Sequence, residues 1–128
     1  MTLGGGNTLI VDDEIDVRLL LHLIIDRENQ GLRVVGEAAS GAEALELRRS
    51  LDVDVVVLDH RMPGLSGLET ATALLAEAPD LPIVLYSAFT DDRMEAEARA
   101  IGVRKCVEKG DAPGLISVLR QLTGLTGA

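Results

Sequence analysis

Apolar residues gather in four short runs along the chain: TLIVD (8 to 12), LRVVGEA (32 to 38), DVVVLD (54 to 59) and PIVLYS (82 to 87). Most are apolar at consecutive positions, the pattern of strands covered on both faces in a parallel sheet. A fifth run, RKCVEK (104 to 109), is weaker. Between them lie stretches with helical spacing, about 14 to 29, 41 to 50, 66 to 77, 91 to 101 and 112 to 122. Strand and helix thus alternate five times, with connections too short for anything but local crossovers. The pattern predicts an α/β fold: a five-stranded parallel sheet with five helices on both faces.

Helix starts are marked in the sequence. Ser40 with Glu43, and Ser66 with Glu69, have capping-box spacing. Asp111 reads as a further N-cap, with Pro113 in the first turn. No internal repeat or low-complexity segment interrupts the pattern, and only MTLGGG and TGLTGA read as loose ends.

At 128 residues and 47% hydrophobic, the chain can bury one core without disulfides or a structural metal. A net charge of -9 removes the phosphate attraction that underlies nucleic-acid binding, so no direct DNA or RNA contact is expected. One cysteine and a start without a basic, apolar leader predict a cytoplasmic location. The longest nearly apolar run, residues 19 to 25, is far short of the roughly 20 residues of a membrane span, so none is expected.

In open α/β sheets, function gathers at the carboxyl ends of the strands. Here the first run ends in Asp12, Asp13 and Glu14, the third in Asp59, the fourth in Ser87 and the fifth in Lys109. Parallel strands bring these ends to one edge. Two carboxylates about 4 Å apart repel by about 4 kcal/mol at an effective dielectric near 20, so such a cluster calls for a cation or a proton. All-oxygen donors open to phosphate favour Mg²⁺, while His22 and His60 lack convincing metal-binding partners. An aspartate beside Mg²⁺ and a lysine can attack a phosphoryl group to give an acyl phosphate. Each residue alone reads more readily as a cap or turn residue; their joint appearance at successive strand ends does not.

With these motifs the sequence resembles the receiver domain of two-component response regulators, a CheY-like family. IVDDE matches its acidic pair, VVVLDHRMPGLSGLE its phosphoacceptor segment, VLYSAF its switch strand and VEKG its lysine strand. The resemblance implies a flavodoxin-like, doubly wound (βα)5 receiver domain over 7–123, with flexible termini at 1–6 and 124–128. It implies that Asp59 is phosphorylated and that Asp12, Asp13, Asp59 and the Arg61 backbone carbonyl surround Mg²⁺, Asp12 largely through water. Ser87 and Lys109 would hold the phosphoryl group. The donor would be a histidine kinase or a histidine phosphotransfer protein, and the domain would catalyse only its own phosphorylation and dephosphorylation while it controls an output partner. The side chains of Arg61 and Phe89, each two residues past a site residue, would tune phosphoryl lifetime.

Two positions depart from the family pattern. Cys106 stands where an aromatic residue usually reports phosphorylation, which implies a subdued or differently routed switch; its own reading is a small buried hydrophobe. Gly110 follows Lys109 where proline is common, and since a non-proline cis bond costs about 2.5–4 kcal/mol, a trans bond is expected. On the first helix, Arg18, His22, Asp26 and Asn29 form a polar stripe, with Val17, Leu20 and Ile24 opposite and Leu19, Leu23, Leu21 and Ile25 on the flanks. That apolar arc is wider than a core stripe needs, and an exposed part would suit docking of a four-helix bundle. Two rival readings are a receiver-shaped interaction module that needs no phosphorylation, and a Mg²⁺-dependent phosphohydrolase of the haloacid dehalogenase type. The latter would want an acid where Arg61 stands.

Overall fold

The structure, a computed structural model, describes residues 5–28 and 30–125. Strands β1 (Gly6–Val11), β2 (Leu32–Ala38), β3 (Val55–Leu58), β4 (Ile83–Ser87) and β5 (Lys105–Glu108) alternate with helices α1 (Ile15–Glu28), α2 (Gly41–Ser50), α3 (Gly67–Glu77), α4 (Asp92–Ile101) and α5 (Ala112–Leu122). The strands form one parallel sheet in the order β2-β1-β3-β4-β5. Chain order reverses between β1 and β3, which makes the carboxyl ends of those two strands the switch point of the sheet.

Alternation along each strand divides the core between two faces. Leu9, Val11, Val56, Leu58, Ile83 and Leu85 pack with Ala44, Leu74 and Ala98, so α2, α3 and α4 cover one side. Ile10, Val55, Val57, Val84 and Tyr86 pack with Leu21, Ile25, Leu115 and Leu119, so α1 and α5 cover the other. Every residue of β3 and β4 is buried, as their unbroken apolar runs require. The edge strands read differently: β2 carries Arg33 and Glu37 and is only partly covered, and β5 is largely exposed. The weakness of the fifth run therefore marks an edge.

Helix caps follow the predicted punctuation with one difference. Ser66 and Glu69 form a full capping box on α3. On α2, Ser40 accepts from the Glu43 N–H, but the Glu43 carboxylate accepts from the Ala39 N–H instead of that of Ser40, so the box is shifted by one residue. Asp91 and Asp111 cap α4 and α5 through the N–H groups of Met94 and Gly114.

The orientation of α1 corrects the sequence expectation. Leu21 and Ile25 face the core and Val17 and Ile24 are half-buried, whereas Leu20 is 56% exposed. The helix is rolled toward its polar stripe because Arg18 and His22 find partners on β2: Arg18 Nε lies 3.3 Å from Glu37 Oε1, and His22 Nδ1 lies 2.9 Å from Glu37 Oε2. Asp26 stands 3.4 Å from His22 Nε2. His22 thus has two carboxylate partners, while Asn29 lies outside the described residues. Rolling exposes Ile15, Leu19 and Leu23, at 59%, 52% and 63%, as one continuous stripe at four-residue spacing. Among the described residues no helix is long and apolar enough to cross a membrane.

Candidate functional site

Three strands stop one residue before a charged side chain, and a fourth ends on a hydroxyl. Asp12, Asp59 and Lys109 each follow the last residue of β1, β3 and β5, and Ser87 is the last residue of β4. Backbone hydrogen bonds extend the sheet into these positions: Asp12 N–H donates to Ala38 O at 3.0 Å, Asp59 N–H to Val11 O at 2.9 Å and Lys109 N–H to Ser87 O at 2.7 Å. The side chains therefore leave from a fixed backbone. Gly67 keeps the chain after Asp59 close, since a methyl group there would overlap the Asp59 carbonyl oxygen and stand 2.6 Å from the His60 Cα. Its N–H donates to His60 O at 2.7 Å.

Oxygen atoms of Asp12, Asp13 and Asp59 lie within 4.8 Å of one another. Asp12 and Asp59 are 2% and 6% exposed, and Asp13 faces solvent. Lys109 Nζ sits 2.9 Å from Asp12 Oδ2, 3.2 Å from Asp59 Oδ1 and 3.8 Å from Glu14 Oε1. Burial and then the neighbouring Asp12 charge push the Asp59 carboxyl above its ordinary range, and Lys109 only partly offsets this. Burial also works against the Lys109 charge, but the Asp12 and Asp59 carboxylates outweigh it and hold the ammonium more firmly protonated than usual. Asp59 shifts upward mainly through burial, and Lys109 shifts upward because two carboxylates flank its ammonium.

When all are ionised, the three aspartates and one lysine leave two negative charges, the amount one divalent cation neutralises. The donors are carboxylate oxygens, with neither sulfur nor imidazole among them, which fits a hard ion of the Mg²⁺ type. Asp59, Arg61, Ser87, Phe89, Lys109 and Glu14 line an open cleft of about 430 Å³. Phe89 is 65% exposed. The Ser87 hydroxyl is engaged within its own loop, where it donates to Phe89 O at 3.1 Å and faces the Phe89 N–H at 3.4 Å. Its one proton is therefore committed to Phe89 O.

Arg18 is a supporting residue that the sequence reading placed only on a polar stripe. Its guanidinium donates to the Asp12 carbonyl at 2.7 Å while it pairs with Glu37, so it braces the acidic turn against β2. The signal was Glu37, an acid near the carboxyl end of a strand whose other charge is Arg33. Cys106 is a half-buried free thiol in a separate cleft with Glu95 and Arg99. Burial and then Glu95 push its pKa up, against the effect of Arg99, which suppresses the reactive thiolate.

Comparison with known proteins agrees with this geometry. Residues 8–120 match the response regulator receiver domain family. The response regulator UvrY of Escherichia coli is 33% identical over 117 residues, covering 91% of this chain and 53% of UvrY; the chain spans about half the length of the curated relatives it matches. The response regulator domain of Thermotoga maritima CheB has 29% identity and a TM-score of 0.86, covering 97% of this chain and all of that one. Thermotoga maritima TrrA, solved in complex with Mg²⁺-BeF, has 31% identity and a TM-score of 0.79 over 91% of this chain and 98% of its own. None of these relatives favours a phosphohydrolase or a phosphorylation-independent module. The chain belongs to the response regulator receiver domain family, the signalling domain of two-component systems, with its flavodoxin-like fold.

Proposed function

We propose that Asp59 is the phosphoacceptor of this receiver domain, which spans residues 7–123. One observation carries the reading: a buried carboxylate at the end of a central strand, 3.2 Å from an ammonium, sharing an oxygen cluster with two further aspartates beside an open cleft. In the proposed step an Asp59 oxygen attacks the phosphorus of a phosphohistidine, an acyl P–O bond forms and the P–N bond breaks, with the electron pair leaving on the imidazole. Asp12, Asp13, Asp59 and the Arg61 carbonyl would hold Mg²⁺, which would neutralise charge on the transferred oxygens. The solved TrrA complex with Mg²⁺-BeF supports that choice of metal. Lys109 keeps its charge in the pocket and pairs with a phosphoryl oxygen, and Ser87 turns from Phe89 to donate to another. Arg61 and Phe89, at the cleft mouth, govern the access of water and hence phosphoryl lifetime.

The proposed donor is a histidine kinase or histidine phosphotransfer protein, and the proposed compartment is the cytoplasm. The Ile15, Leu19 and Leu23 stripe begins beside the acidic turn and offers an apolar helix face for a four-helix-bundle partner. Output passes to a partner or a further domain through a population shift, while catalysis is confined to the domain's own phosphorylation and dephosphorylation. The test is incubation with acetyl phosphate, with Mg²⁺ or with a chelator. Metal-dependent uptake of a hydroxylamine-labile phosphoryl group is expected; metal-independent uptake, or a hydroxylamine-stable product, would overturn the reading.

A further inference from the structure

The turn that carries Lys109 is tied to the strand that presents Ser87. Gly110, next to the lysine, donates its backbone N–H to the Tyr86 hydroxyl at 3.2 Å. Tyr86 is 5% exposed, and its ring belongs to the core cluster with Val84, Val107 and Leu115. The hydroxyl is therefore presented from a rigid mount. On the other side, Lys109 N–H donates to the carbonyl of Ser87, the next residue of β4, at 2.7 Å. Two consecutive residues of β4 thus grip the backbone immediately before and after the Lys109 side chain. Only a residue with an N–H can complete this grip, and a proline at 110 would delete it.

Such a tether has work to do at this position. Gly110 adopts φ +101°, has no neighbour within 4 Å of where a Cβ would stand, and is exposed. Glycine in an open turn is the least constrained residue a backbone can have. Lys109 Nζ must nevertheless stay within 2.9 Å of Asp12 and 3.2 Å of Asp59 at the end of a flexible stem. We propose that Tyr86 is a positioning residue for phosphoryl transfer: its hydroxyl fixes the Lys109–Gly110 turn and thereby aims the Lys109 ammonium at the pocket. Lys109 and Ser87, the two groups assigned to the phosphoryl oxygens, then share β4 as a common mount. The inference deepens the phosphoacceptor reading of Asp59 and rests on it.

Tyr86→Phe keeps the ring in the core and deletes only the acceptor. The maximal rate of phosphoryl uptake from acetyl phosphate, at saturating Mg²⁺, is expected to fall by about three- to tenfold, the scale of one ordinary hydrogen bond. Amide exchange at Gly110 should quicken in the same variant. In a Lys109→Ala background, Tyr86→Phe should cost nothing further, because the hydroxyl acts through the lysine; a merely structural role would cost the same in both backgrounds. An uptake rate within about twofold of wild type, below the cost of an ordinary hydrogen bond, would overturn the inference. Unchanged Gly110 exchange, or an undiminished loss in the Lys109→Ala background, would do so as well. Failure of the wild-type protein itself to take up phosphoryl would instead overturn the Asp59 reading.

Discussion

Replacing Asp59 by asparagine should stabilise the metal-free protein. At an effective dielectric near 20, Lys109 at 3.2 Å attracts the ionised carboxylate by about 5 kcal/mol. Asp12 and Asp13, with oxygens within 4.8 Å, repel it by about 3.5 kcal/mol each. Solvent at the exposed Asp13 screens part of its share, while burial of Asp59 adds a cost of its own, leaving ionised Asp59 unfavourable by about 1–2 kcal/mol. Asparagine keeps an oxygen for Lys109 and sheds the charge. In chelator at neutral pH, Asp59→Asn is therefore expected to raise Tm by about 3–10 °C. The pH dependence follows from the raised native pKa. The stability linked to protonated Asp59 is full below its ordinary value of 3.8 and is lost as pH rises through the raised native value. The variant has no such proton to lose, so its advantage should grow with pH through that window and close in acid. Saturating Mg²⁺ should shrink the gap by stabilising the wild type. Equal or lower stability of the variant in chelator at neutral pH would refute the electrostatic account.

Gly67→Ala forces a methyl group against the Asp59 carbonyl and is expected to cost about 1–3 kcal/mol in urea denaturation. Leu19→Glu combined with Leu23→Glu places charge on the exposed stripe of α1. It should slow transfer from a cognate phosphohistidine protein by about tenfold or more while leaving uptake from acetyl phosphate unchanged. Glu77 clasps Arg49 and Arg48 across α2 and α3, and these partners hold its carboxyl at about 2. Its contribution is present above the ordinary value of 4.5 and lost as pH falls through about 2. The stability difference between wild type and Glu77→Gln should accordingly stay constant from neutrality down to that ordinary range and close only below it.

The central strands were legible because β3 and β4 are buried on both faces and so read as unbroken apolar runs, each ending in a polar group at the sheet edge. That placed Asp59 and Ser87 before any packing was known, and the same rule placed Asp12 and Lys109. What the pattern could not convey was the roll of α1. Helical spacing defines an apolar arc but not which part of it meets the sheet, and here a contact nineteen residues away, Arg18 with Glu37 on the edge strand, decides. Leu20, opposite the polar stripe, is among the exposed residues of that arc for this reason. The Ser87 hydroxyl gave no sign of its bonds to Phe89, since residues two apart can face each other only once the loop has formed. The tie between Tyr86 and Gly110 spans twenty-four residues and joins a core ring to a backbone amide, a pairing that leaves no trace in composition or periodicity.

Intact mass after incubation with acetyl phosphate and Mg²⁺ tests the central claim most directly. The wild-type protein should gain the mass of one phosphoryl group, and Asp59→Asn should gain none. Absence of the added mass in the wild type, or its survival in Asp59→Asn, would contradict the assignment of Asp59 as the phosphoacceptor.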